Sequence, residues 1–278
     1  MLWLMRASLP AESWKGVGAL AGTWTGGSLN MVALQTVLNV PEPVFAPLLV
    51  VDAMVTYTWM SILIAAKGVE PSLNRWLRAT ISVEAAPEPA ALSPVEGAPR
   101  AAGPVLTAAV MAVALTIIST ALGRRLPLTG TVTSASGWTV LLVSTMALAL
   151  ACLPTVRRAG QRGASAGYAC LYLVLASLGA KASLQALVAT PAWIVVGFGW
   201  LAIHAVTLLL VGRLLRLPAG LLATASQANI GGVVSAPMVG AIYDQRLAPI
   251  GLLLALGCNA LGTYFGLASA ALARLLVP

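Results

Sequence analysis

The sequence predicts an all-α, polytopic transmembrane bundle, and three observations carry that prediction. Charged residues make up only 9% of the 278 and apolar residues 59%, whereas soluble domains carry roughly a quarter charged residues. Mean hydropathy is +0.91. Apolar runs recur along the chain, each near the ~20 residues that span a bilayer as helix.

Read as runs separated by loops, the chain gives candidate membrane segments at 16–40, 44–66, 104–122, 136–153, 167–189, 192–212, 219–241 and 247–273. The first two are divided by a turn bearing Pro41 and Pro43. After 44–66 the chain turns polar through 67–103, which holds EAAPEPAALSPVEGAPR, a Pro/Ala/Glu linker too polar to cross. At its start PSLNRWLRATI fits a short amphipathic helix on the membrane surface. Arg124 and Arg125 separate the third and fourth segments, and the Arg157–Arg162 stretch precedes the fifth. Pro191, Pro218 and Arg246 mark the approaches to the last three. The expected organisation is an N-terminal partial repeat (1–66), the linker (67–103, cytoplasmic) and a C-terminal repeat (104–278).

The formal charge of +8 is distributed in short loops, where Lys and Arg orient helices rather than bind phosphates. Nucleic acid is therefore not an expected partner; the lipid bilayer is. If every segment crosses once from a cytoplasmic N-terminus, twelve basic residues fall inside: Arg6, Lys15, Lys67, Arg75, Arg78, Arg100, Arg157, Arg158, Arg162, Arg213, Arg216 and Arg274. Arg124, Arg125 and Arg246 fall outside. That bias predicts both termini in the cytoplasm. Cys152, Cys170 and Cys258 are widely spaced in apolar segments, with no CxxC or Cys/His spacing, so no disulfide framework or metal site is indicated. No HExxH, GxSxG or Walker loop occurs, and an enzyme is not expected.

Two segments are interrupted, either broken crossing helices or re-entrant hairpins, in an incomplete inverted-repeat, carrier-like arrangement. TGGSLNMVAL (25–34) and IGGVVSAPMV (230–239) each carry a Gly-Gly pair within an apolar run, each followed by a turn and another apolar segment. Interrupted segments in corresponding positions of two halves point to a carrier's binding site. Non-helical backbone at membrane depth is tolerated only inside protein or along a watery cavity. The expected substrate contacts are Thr25, Gly26, Gly27, Ser28 and Asn30 from the first break. Ser226, Gln227, Asn229, Gly231, Gly232 and Ser235 come from the second. The other reading is a small-residue packing seam in which Ser and Thr bond back to their own helix.

Asp52 is the one acidic residue well inside an apolar run. An intramembrane carboxylate costs ~2.5–3.5 kcal/mol on insertion scales, so Asp52 is either an H⁺ or Na⁺ coupling site or, if its helix starts late, a headgroup-level residue. Asn259 is grouped with it as an ion-coupling candidate, in a polar stripe with Thr263 and Tyr264 that equally suits helix packing. Lys181, beside Ser183 and Gln185, either neutralises a carboxylate or reaches an interface. His204, the single histidine, is a proton relay or an interhelical hydrogen-bond partner. No cofactor beyond a coupling ion is expected.

GTWTGGSLNMVAL, VVDAMVTYTW and LLATASQANIGGVVSAPMVGAIYDQRLAPIGLLLALGCNALGTYFGLASA together resemble the YjcL-like family of bacterial integral membrane proteins, whose domain has no assigned function. The likeness runs from about residue 10 to the C-terminus and includes YLVLASLGAKASLQAL. It implies a distant relation to inverted-repeat secondary carriers such as the bile acid, glutamate and 2-hydroxycarboxylate symporters. It also implies that Gly26, Gly27 and Asn30 fall in one unwound element and Asn229, Gly231 and Gly232 in the other. Typical members carry additional helices ahead of the first Gly-Gly element, so a truncated start, a homodimer or a partner chain supplying helices is a further expectation. The function expected is a secondary transporter of a small solute, an organic anion among the candidates, in the bacterial cytoplasmic membrane. The competing expectation is a non-transporting scaffold or subunit derived from a carrier.

Overall fold

The computed structural model describes residues 7–80, 102–180, 188 and 191–276, and among these the regular structure is helical. In chain order the helices are α1 (Ser13–Gly26), α2 (Ser28–Val37), α3 (Glu42–Ala66), α4 (Glu70–Leu77), α5 (Ala102–Gly123) and α6 (Ala135–Ala151). They continue as α7 (Pro154–Gly179), α8 (Ala192–Leu214), α9 (Ala219–Ile230), α10 (Gly232–Tyr243) and α11 (Leu247–Ala273). α3, α5, α8 and α11 are each long and apolar enough to cross a membrane. α6 and the start of α7 form a further apolar pair bent by 113°. α7 begins well before the expected 167, so the basic stretch at Arg157 and Arg158 is helical rather than loop. Lys181, Ser183 and Gln185 lie outside the described residues, as does linker 81–101.

The two Gly-Gly segments are broken, and the breaks are complete reversals. α1 and α2 fold back on each other about Gly27. A methyl at Gly22 would collide with Leu34 and one at Gly18 with Leu38, pairs that a continuous helix would hold far apart. At the open end Lys15 Nζ donates to the Asn39 carbonyl at 3.3 Å. α9 and α10 fold back in the same way: Gly220, near the start of α9, packs on Tyr243 at the end of α10. Near the turn, Gln227 Nε2 donates across it to Ser235 Oγ at 2.9 Å. Length agrees with this. The 14-, 10- and 12-residue arms reach about 15–21 Å at ~1.5 Å per residue, short of the ~30 Å hydrocarbon core. Of the two forms expected for the interrupted segments, broken crossing helix or hairpin, both take the hairpin, so the supposition that every segment crosses once does not hold for 16–40 and 219–241.

Both turns use the second glycine of their pair. Gly27 has φ +90° and ψ 170° and Gly232 has φ +78°, backbone that residues with a Cβ avoid. Each first arm stays helical up to its glycine pair: Gly27 N–H donates to Thr23 O (2.6 Å) and Gly231 N–H to Gln227 O (2.8 Å).

The hairpins enter from opposite ends. α3 starts beside the α1–α2 opening, where Gly16 packs on Val44 and Leu48. It ends at the α9–α10 opening, where Lys67 Nζ donates to the Tyr243 carbonyl at 3.0 Å. α11 runs the other way, and its final Arg274 stacks over Trp14 at 5.2 Å and donates to the Gly130 carbonyl. Each hairpin is thus followed by one long helix, and the two hairpin-plus-helix units have opposite orientations. At mid-height the tips meet: a Cβ on Gly27 would lie 3.5 Å from Gly232 Cα.

Glycine also sets how close α1 and α11 come. A Cβ at Gly18 would meet Ala270 and the Gly266 carbonyl, and one at Gly26 the Cys258 carbonyl at 2.5 Å. Small residues every fourth position on both helices let the backbones touch, the contact that apolar side chains cannot provide between membrane helices. The packing-seam reading thus describes Gly18, Gly22 and Gly26, while Gly27 and Gly232 make the turns. On the other side α4 docks Leu77 against Ala219 and Leu222. There Asn74 Oδ1 accepts from the Ala219 N–H at 2.7 Å, and Arg213 donates to the Trp76 carbonyl. A short helix is present where the amphipathic one was expected, but it continues α3 through a 3-10 turn at Lys67–Val69 and is anchored to the start of the second hairpin.

Candidate functional site

Beside the touching tips lies a cavity of about 740 Å³ between α2, α3 and the α9–α10 turn. From the first hairpin it receives Ser28, Met31 and Val32; from α3, Asp52, Thr56 and Tyr57; from the second hairpin, Gly231, Ser235 and Met238. Asp52 is the charged residue on this wall. α3 starts at Glu42, which sets Asp52 about 15 Å along the helix at ~1.5 Å per residue. It therefore lies at the depth of the tips and not at a headgroup.

The carboxylate is buried and gathers hydrogen-bond donors from both sides of the first break. Oδ1 accepts from Trp24 Nε1 (3.0 Å), Thr23 Oγ1 (3.3 Å) and Thr56 Oγ1 (3.5 Å), and Oδ2 from Ser28 Oγ (3.4 Å). The Trp N–H can only donate, which suits an ionised acceptor. No ion pair to Asp52 occurs among the described residues. TWTGGS is thus a sequence that turns the chain and at once solvates a carboxylate on the following helix.

Trp24 extends the network toward the second hairpin. Its ring stacks on Trp200 (4.6 Å), which stacks on His204 (5.2 Å), while Trp59 meets His204 edge-on at 6.0 Å. His204 Nε2 and Trp59 Nε1 both bond Ser226 Oγ on α9, at 2.8 and 2.7 Å. His204 is thus an interhelical hydrogen-bond partner, and Ser226 a structural bridge.

The residues expected to share one site are divided. Ser28, Asp52, Gly231 and Ser235 line the cavity described, with Gln227 bonded to Ser235 behind it. Gln227 Oε1 is buried without a partner. Asn30 faces the other way. Its Nδ2 donates to Asn259 Oδ1 (2.8 Å) and its Oδ1 accepts from Thr263 Oγ1 (2.7 Å), pinning α2 to α11. Asn30 and Asn259 line a second cavity of about 420 Å³ with Ser144 and Tyr264, across α2 from Asp52. Thr25 bonds back to the Ala21 carbonyl, and Gly26 is packed on α11. Asn229 is half-buried on α9 and lines neither cavity. The groups that sequence reasoning missed around Asp52 and His204 are Trp24, Thr56, Trp59 and Trp200. Their signal was position: tryptophans concentrate at membrane interfaces, so three at mid-segment ask for a partner, and Thr56 lies one turn from Asp52.

Among the described residues no cluster of His, Cys, Asp or Glu could hold a metal ion. Comparison with curated proteins and with solved structures gives no match. A family model described as "Protein of unknown function (DUF819)" matches residues 1–276. Spanning nearly the whole chain, both hairpins and the carboxylate cavity included, that match makes this membrane-type helical bundle a member of the DUF819 family.

Proposed function

We propose that the chain is a secondary transporter of a small solute in the bacterial cytoplasmic membrane. The observation that carries this reading is the pair of opposed re-entrant hairpins, meeting tip to tip beside a cavity that holds a buried carboxylate. Interrupted helices in two halves of opposite orientation are how secondary carriers build a midplane site. The hairpin-plus-helix units α1–α3 and α9–α11 have that relation. Solute occupies the Asp52 cavity, and Asp52 couples transport to H⁺ or Na⁺.

The same reading carries its own orientation. With both segments re-entrant, and among the described residues, the Lys67 end carries Lys67, Arg75, Arg78, Arg157, Arg158, Arg213, Arg216 and Arg246, against Lys15, Arg124, Arg125 and Arg274 at the other. Positive-inside bias puts the Lys67 end in the cytoplasm. The start of α1 and the end of α11 then lie on the outer side, opposite to the single-crossing expectation.

The test is uptake by proteoliposomes holding the purified chain, with amine and carboxylate solutes under imposed H⁺ or Na⁺ gradients. Gradient-dependent uptake that Asp52→Asn uncouples is the expected result. If no solute moves, or Asp52→Asn keeps the same gradient dependence, the transport reading falls.

A further inference from the structure

We infer that the Asp52 cavity takes an organic monocation: an ammonium head with an apolar body, and not an organic anion. The inference deepens the transport reading and rests on its choice of cavity.

Charge is the first ground. Among the described residues, Asp52 is the only charged side chain on the cavity wall. An anionic solute would be brought against a carboxylate in a weakly screened site, where like charges repel strongly. Oxygen valence is the second. Oδ1 already accepts three hydrogen bonds, whereas Oδ2 has one, from Ser28 at 3.4 Å. Each carboxylate oxygen has about two acceptor positions, so Oδ2, with its single bond at the long end of the range, keeps room for a further donor. An ammonium supplies both N–H and a countercharge that no described residue provides, the strongest pairing for such an acceptor.

Shape and lining give the third ground. About 740 Å³ is far more than a bare ion needs and lies within the ~300–1,000 Å³ usual for small organic ligands. Met31, Met60 and Met238 line it with flexible, polarizable side chains that fit an apolar body. Tyr57 adds a ring face that attracts cations. The hydroxyls of Thr23, Ser28 and Thr56 donate their protons to Asp52, an arrangement that solvates a carboxylate and leaves Oδ2 as its less occupied oxygen.

The experiment uses the full chain in nanodiscs and two probes of one carbon skeleton, 3-phenylpropylammonium and 3-phenylpropanoate, with binding read by tryptophan fluorescence. The ammonium is expected to bind and the carboxylate not. Asp52→Asn should weaken the ammonium about tenfold or more, as loss of a charged hydrogen bond does. Met238→Lys, at the open mouth of the cavity (57% exposed), leaves the Asp52 network intact; it should abolish ammonium binding and admit the carboxylate. Two results would each overturn the inference: equal binding of the two probes to the wild type, or ammonium affinity unchanged in both variants. Ammonium binding without uptake of any solute would keep the inference and reject transport. Uptake of carboxylates by a chain that binds no ammonium would do the reverse.

Discussion

Gly26→Ala tests the helix seam that holds the first hairpin in place. The added Cβ would lie 2.5 Å from the Cys258 carbonyl oxygen and 2.6 Å from Asn259 Cα, where ordinary contact begins at 3.4 Å. Both atoms are backbone, so no rotamer change relieves the clash, and the α1–α2 hairpin must retreat from α11 by about 0.9 Å, the difference between 3.4 and 2.5. The Asn30–Asn259 and Thr263–Asn30 hydrogen bonds join α2 of that hairpin to α11 at 2.8 and 2.7 Å. A retreat of that size carries them past hydrogen-bond length. Overpacking costs ~1–3 kcal/mol and each lost bond ~0.5–1.5 kcal/mol, about 2–6 kcal/mol together. Thermal unfolding in detergent should show a marked fall for Gly26→Ala and none for Gly68→Ala, whose surroundings are open. Because seam and clamp share one displacement, Gly26→Ala should cost less in an Asn30→Ala background. A variant that melts with the wild type, or costs that add fully, would refute the shared seam.

Single cysteines at Asn39 and Gln245, in a chain freed of Cys152, Cys170 and Cys258, should react with an impermeant maleimide from opposite sides of the membrane; labelling of both from one side would contradict opposed hairpins. Trp24→Phe keeps a ring against Trp200 but removes the Asp52 donor. It should lower the melting temperature, a bond to a charged group being worth ~1.5–3 kcal/mol, and an unchanged melt would contradict the bond. At the α10–α11 turn, hydrogen bonds from Arg246 hold the Asp244 carboxyl down to about 2. A depressed value stabilises the fold above the ordinary carboxylate range and is lost as pH falls through it. The gap in melting temperature between wild type and Asp244→Asn should therefore be the same at pH 7 and pH 5 and close only between about pH 4 and pH 2, and a gap that closes above that range would contradict the pairing.

Much of the secondary structure was legible because apolar length is a local property. The runs behind α3, α5, α8 and α11 could be counted directly, and Pro, Gly and Arg marked their ends. The positions of the breaks were legible too, since glycine pairs in apolar runs have few uses. Asp52 stood out because a carboxylate inside such a run needs compensation. Its compensation was less visible: Trp24 Nε1 arrives from another helix, and nothing near position 24 names its acceptor. Asn30 shows the same limit more sharply. Its amide beside a Gly-Gly pair resembled a ligand arm, yet both of its polar atoms are bound by residues more than two hundred positions away.

Sequence by itself determined that this chain is a helical membrane protein, that two segments are interrupted at the Gly26-Gly27 and Gly231-Gly232 pairs, and that one carboxylate falls inside an apolar run. Tertiary structure decided that the breaks are reversals at Gly27 and Gly232, that the hairpins come from opposite ends, that Asp52 lies level with their tips, and that Ser28 and Asn30 serve different cavities. The physical reason is the reach of the forces involved. Burial and backbone freedom are set residue by residue, whereas a chain can turn back at membrane depth only when other parts of the protein cover its tip. For Gly27 that partner is Gly232, and only folding brings the two together.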